Sequence, residues 1–303
     1  MAGQVYFGTK QYQTWIKAPN SPLQASSEGY SSEQGLLNGR AYIKRSMASH
    51  RKFEMSWFGE LNNSDLAVNL QTVKDYADGL YGTAPYYWCD PFAMTQNLMP
   101  PHWAAPMLVE NDWPTLVPAI TPTFAAVAYT NNFPYKTASY AMTAGQVSTN
   151  KLTIIIPSGY TLSFGWHTAT AGVSAATAAG IRITPYLRAT GAATTVQNPA
   201  SLLAGSTSRV STVTTAGAMS QFAGATYSYV EIYFANGSAS TSTAAVVSMI
   251  AEIFINGTTP PTGAFLPGKG TTSLEFSGAP QIEYYSSAIG NGQVGMSATL
   301  VEI

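Results

Sequence analysis

Charge is scarce in this 303-residue chain: Asp, Glu, Lys and Arg make up 10% of it, and 14 bases against 15 acids leave a net charge of −1. The densest basic stretches are the pairs Lys44-Arg45 and Arg51-Lys52. These fall well short of the phosphate-neutralising surface that nucleic-acid affinity needs, so no specific nucleic-acid partner is expected. Cysteine is scarcer still. Cys89 stands alone, which excludes an internal disulfide and a Cys-based zinc site, and the dispersed His50, His102 and His167 make no metal cluster. The expectation is no metal, no cofactor, and folding by packing alone. Long apolar runs are also missing. The best, residues 244–255, is broken by Ser248 and Glu252 and is shorter than the roughly 20 residues a spanning helix requires. No apolar leader segment follows Met1, so a soluble chain with neither membrane partner nor secretion signal is expected.

Gly, Ser, Thr, Tyr and Ala fill the space that charge leaves, a composition suited to short strands and turns rather than to helices with charged outer faces. The fold class is therefore expected to be all-β, and the length suits two domains. Local charge locates a seam. Residues 123–261 hold no Asp, two Glu (Glu231, Glu252) and five bases (Lys136, Lys151, Arg182, Arg188, Arg209), while the flanks hold 13 acids and 9 bases. Pro-rich punctuation brackets the middle, with Pro114, Pro118 and Pro122 before it and Pro260-Pro261 after it. The pattern predicts one domain built from residues 1–122 and 262–303, with 123–261 inserted as a second.

In the first flank, Phe53, Met55 and Trp57 alternate with Lys52, Glu54 and Ser56, the period-2 pattern of a half-buried strand. A helix is predicted next. Asn63-Ser64-Asp65 supplies its cap, Leu66, Leu70, Val73, Ala77 and Leu80 its apolar stripe, and Gly79 or Gly82 its end. Residues 86–92 (YYWCDPF) read as an aromatic strand stopped by Pro91, followed by a loop rich in Pro and Met to about residue 122. At the other end of the chain Val294, Met296, Ala298 and Leu300 alternate with small residues after the turn signal Gly290-Asn291-Gly292, a strand that needs a partner. The middle supplies further strands around residues 152–156, Leu162/Phe164/Trp166, Ile181/Ile183 and Val230/Ile232/Phe234, which suggest a jelly-roll or similar β-sandwich. Asn236-Gly237-Ser238 and Asn256-Gly257-Thr258 match glycosylation sequons but read as Asn-Gly hairpin turns.

Catalytic patterns fail on inspection. Residues 263–271 (GAFLPGKGT) imitate a phosphate-binding loop, yet Gly270 stands where a hydroxyl should hold magnesium and Pro267 removes an N–H from the cradle. Glu231 and Glu252 are the middle region's two carboxylates, but Glu231 alternates with Val230 and Ile232, as on the outer face of an ordinary sheet. No Gly-x-Ser-x-Gly elbow is present, and Cys89 has no base beside it in sequence. One binding pattern remains. Tyr229, Glu231 and Tyr233 share a strand face, and Trp166-His167 lie in another strand, the ingredients of a sugar-stacking surface; the bland alternative is a solvated face or a subunit contact.

Several strings have a familiar look: residues 76–83 (YADGLYGT), 87–94 (YWCDPFAM), 101–106 (PHWAAP), 265–270 (FLPGKG), 276–280 (FSGAP) and 297–302 (SATLVE). They resemble minor tail proteins of actinobacterial siphophages, in particular the distal tail protein family. The resemblance covers the two charged flanks, about half the chain, and carries no catalytic residue. It implies a tail-tube-like belt domain, a β-sandwich or split barrel with one flanking helix. Such a domain assembles into a ring, usually a hexamer, that joins the tail-tube protein to the tail tip proteins of the virion. It also implies synthesis in the host cytoplasm and a structural rather than enzymatic role. Family members often carry a second sandwich of galectin-like or carbohydrate-module type, which residues 123–261 match in size. The competing readings are a host-surface carbohydrate-binding adhesin acting through the inserted domain, and the tail-tube subunit itself.

Overall fold

The structure is a computed structural model, and it describes residues 3–20, 24–28, 31–35, 41–45, 50–60, 64–89, 98, 123–126, 136–142, 147, 151–168, 180–197, 201–204, 220–235, 245–256, 273–285 and 292–303. In chain order these form β1 (Gln4–Gly8), β2 (Gln13–Lys17), β3 (Gln24–Glu28), β4 (Ser31–Gly35), β5 (Ala41–Arg45), β6 (His50–Glu60), α1 (Ser64–Ala77) and β7 (Tyr86–Cys89). There follow β8 (Thr123–Ala126), β9 (Lys136–Met142), β10 (Leu152–Ile155), β11 (Thr161–Thr168), β12 (Gly180–Leu187), β13 (Ser201–Ala204), β14 (Ser220–Ala223), β15 (Tyr227–Ala235) and β16 (Ala245–Asn256). The last three are β17 (Ser273–Phe276), β18 (Gln281–Tyr285) and β19 (Gln293–Glu302). The fold is all-β, with one helix among the described residues.

The chain divides into two compact units, Met1–Pro91 with Thr272–Ile303, and Phe92–Thr271. By compactness the units divide after Pro91 and before Thr272. The Pro-rich segments that carried the sequence-based boundary lie outside the described residues, as do residues 263–271 and His102.

The first unit is built on an eight-stranded sheet in the order β2-β1-β7-β17-β19-β6-β3, with β18 also paired to β19; β4 and β5 form a separate hairpin. The final strand is central to it. One edge of β19 pairs with β6 from Val301↔Lys52 to Gln293↔Glu60, and it also pairs with β17 and then β18. Alternation explains the burial: Val294, Met296, Ala298 and Leu300 are buried from β19, Met55 and Trp57 from β6, and Phe53 is partly buried. The indole N–H of Trp57 donates to the Lys17 carbonyl at 2.9 Å, which satisfies the one polar atom this large side chain takes into the core.

Helix α1 packs on β2 and β6 and contributes Leu70, Val73 and Tyr76 to the core. Its end differs from the predicted stripe. Gly79 turns the chain at φ 80°, the Leu80 N–H reaches back to the Asp75 carbonyl and the Gly79 N–H to the Tyr76 carbonyl, a Schellman closure. Leu80 therefore lies beyond the helix and is 70% exposed. Aromatic rings fill the space between sheet and helix: Phe7 stands 5.1 Å from Tyr76, 5.7 Å from Tyr86 and 5.9 Å from Trp88.

The second unit has a three-stranded sheet, β10-β15-β12, and a six-stranded one, β13-β11-β16-β9-β8, with β14 paired to β11. Described pairings are antiparallel except β11 with β13. Ile154, Ile183, Val230 and Ile232 are buried from the small sheet, Leu162, Phe164 and Phe222 from the large one. Of the predicted Asn-Gly turns, Asn236, Gly237 and Gly257 lie outside the described residues.

Candidate functional site

The small sheet has two unlike faces. Val230 and Ile232 of β15 are buried toward one side with Ile154 and Ile183. Tyr229, Glu231 and Tyr233 alternate with them onto the other. Antiparallel register brings partners to this second face: Thr153 and Thr184 stand opposite Glu231, Tyr186 opposite Tyr229, and Arg182 opposite Tyr233. The result is a face of tyrosine, threonine, one carboxylate and one guanidinium, with the fully buried Ile155 opposite Tyr229 as an apolar member.

It is not an ordinary solvated face. Tyr229 and Glu231 are each only 8% exposed, and Arg182 is buried to the same degree. The rings of Tyr186 and Tyr229 stack at 4.2 Å with 12° between their planes. The Tyr186 hydroxyl donates to Glu231 Oε2 at 2.9 Å, and Lys151 Nζ meets the same oxygen at 3.2 Å. Lys151 Nζ also lies 5.2 Å from the centroid of the Tyr233 ring, and the Thr184 hydroxyl approaches the Tyr233 hydroxyl at 3.5 Å. Burial, and then the hydrogen bond to Glu231, push the Tyr186 phenol above its usual pKa; burial lowers that of Arg182. The phenol stays a donor through neutral pH, as an acceptor carboxylate at 2.9 Å requires.

Of the five residues singled out in the sequence, three come together here: Tyr229, Glu231 and Tyr233. Trp166 and His167 do not join them in one sheet. β11 belongs to the six-stranded sheet, where Trp166 pairs with Ala251 and His167 with Ile250; the side chains of both lie outside the described residues. Glu252 sits in β16 of that sheet, opposite Gly165. Tyr229 is also unsuited to stacking on a sugar with the face that Tyr186 covers. Sequence reasoning missed Lys151, Arg182, Thr184 and Tyr186. The last three were within reach, because they alternate with Ile181 and Ile183, the residues that marked the strand. Lys151 had no such signal, since it precedes β10 and meets Glu231 across 80 positions of sequence.

Elsewhere, Cys89 is buried in β7 and His50 opens β6. Among the described residues no group of three His, Cys, Asp or Glu is placed to hold a metal, and no helix is long and apolar enough to cross a membrane.

No protein-family model matches the chain, and no curated protein matches it. Among solved structures it is similar to the VP2 subviral particle of infectious bursal disease virus. The identity is 11%, covering 99% of this chain and 76% of that one, with a TM-score of 0.22. A likeness this low carries no argument about function.

Proposed function

We propose that the chain is a structural protein of a phage virion, the ring at the distal end of a long flexible tail that joins the tail-tube protein to the tip proteins. The observation that supports this most is the place of β19. The two ends of the chain share one sheet around it while Phe92–Thr271 forms a unit of its own, so a ring-forming domain can carry an added module without interrupting its own strands. Of the strings that resemble distal tail proteins, residues 76–83, 276–280 and 297–302 fall in that first unit, 87–94 spans its boundary, and 101–106 and 265–270 fall in the second. Electrostatics agree: residues 1–91 and 272–303 carry 11 acids and 8 bases, and a net-negative lumen lets DNA pass without holding it. Under this reading the first unit is the belt domain, the partners are further copies of the chain, six in all, and no cofactor or catalysis is involved. Gold-labelled antibody against the chain, viewed on intact virions, tests it. Label confined to the distal tail end is expected; label along the whole tail would favour a tail-tube subunit, and unlabelled virions would overturn the proposal.

A second reading is favoured by the face of the small sheet that carries Glu231. A carboxylate, hydroxyls and tyrosine rings gathered there are the groups that bind sugars, and the inserted unit would then act as a host-surface carbohydrate-binding module beside the ring. Binding of host-envelope polysaccharide by the full chain, lost in a Tyr233→Ala variant, is the expected result.

A further inference from the structure

A carboxylate set beside an aromatic face is the pair of groups that recognises an organic ammonium ion. That pair is present here and is filled from within the chain: the Lys151 ammonium lies 3.2 Å from Glu231 Oε2 and 5.2 Å from the Tyr233 ring centroid. The two sides of the contact differ. The Glu231 side chain is 10% exposed and fixed by the Tyr186 hydroxyl, whereas the Lys151 side chain is 45% exposed and reaches in from the end of a strand. The receptor is buried and braced; its occupant stands at the surface on a flexible stem.

We propose that Glu231 and Tyr233 form a receptor for the ammonium group of a ligand, with Lys151 occupying it as the chain's own stand-in, and that the ligand is a glycan bearing free amino groups. The inference rests on the carbohydrate-binding reading of the inserted unit. An amino sugar presents its ammonium beside a ring face of C–H groups and beside hydroxyls, which suits Glu231, the Tyr233 ring and the Thr184 hydroxyl together. Residues 123–261 carry five bases and two Glu, so long-range attraction does not favour a cationic polymer, and selectivity for the amine has to come from this contact. A self-occupied receptor binds only in the fraction of molecules whose lysine has swung away, which lowers the apparent affinity by that fraction.

The test uses the full chain as wild type, Lys151→Ala, and Lys151→Ala with Tyr233→Leu, titrated calorimetrically with glucosamine oligomers and with their N-acetylated counterparts at one pH and salt concentration. Lys151→Ala is expected to bind the amine oligomer about tenfold tighter than wild type and to prefer it over the acetylated one, with both gains lost on adding Tyr233→Leu. Should Lys151→Ala unfold, Lys151→Gln at the same surface position is expected to show the same gain. Equal affinity of wild type and lysine variants for the amine, or no distinction between the two oligomers, overturns the inference. If every variant binds both oligomers alike, the receptor is wrong and the carbohydrate reading stands; if none binds either, both fall.

Discussion

The guanidinium of Arg188 donates from Nε to the carbonyl of Gly224 at 2.6 Å, and from Nη2 to the carbonyls of Ile156 and Tyr227 at 2.5 and 3.1 Å. These carbonyls belong to two of the places where the chain crosses between the sheets of the second unit, from β10 to β11 and from β14 to β15. One side chain at the end of β12 thereby fastens both crossings. Gly224 is part of the same joint, since a Cβ there would stand 2.1 Å from the Pro157 carbonyl oxygen and 2.7 Å from that of Tyr160.

Arg188→Ala is therefore expected to destabilise the second unit by about 3 kcal/mol, because three carbonyls lose charge-assisted bonds in one step. Gly224→Ala is expected to be at least as harmful, since backbone atoms cannot yield as a flexible side chain does. Thermal unfolding followed by circular dichroism checks both, with Arg188→Lys recovering only part of the loss because it lacks the planar fork.

A second expectation concerns pH. Burial raises the pKa of Tyr76, whose hydroxyl donates to the Tyr12 carbonyl at 3.0 Å, and of Tyr86, whose hydroxyl donates to the Tyr76 carbonyl at 2.7 Å. With folded values above the unfolded one of about 10, their stabilisation is full below pH ~10 and is lost as pH rises through the folded values. Urea unfolding should show a first unit stable at pH 8 and weakened at pH 11. Tyr76→Phe, which cannot ionise, should cost about 1 kcal/mol at pH 8 and lessen the alkaline loss.

Removing residues 294–303 should prevent folding of the first unit. The truncation takes the strand between β6 and β17 out of the middle of the sheet and leaves β6, β17 and β18 without their pairing to it. Soluble protein with native circular dichroism after the truncation would contradict the central place of β19.

Much of this architecture was legible because alternation is a local signal. The Phe53/Met55/Trp57 and Val294–Leu300 patterns identify β6 and β19, though not that they pair with each other. The helix was legible up to its last turn; Leu80 fits the spacing by number but falls after Gly79, where the backbone turns out of the helix. In the second unit, attention to the aliphatic face of β12 hid Arg182, Thr184 and Tyr186 on the other. The Glu231 contacts depend on which strands neighbour β15, and Arg188 depends on three carbonyls at two separate crossings. Neither leaves a periodic trace in the sequence, since long-range register is set by the packed whole.

Assembly of the purified full chain bears most directly on the central claim. A closed ring requires the same head-to-tail contact to repeat until it returns on itself. Mass measurement in solution together with negative-stain images should give a single species of six 32.1 kDa chains, seen end-on as a ring with an open centre. A monomer at every concentration, or tubes of indefinite length, would contradict it.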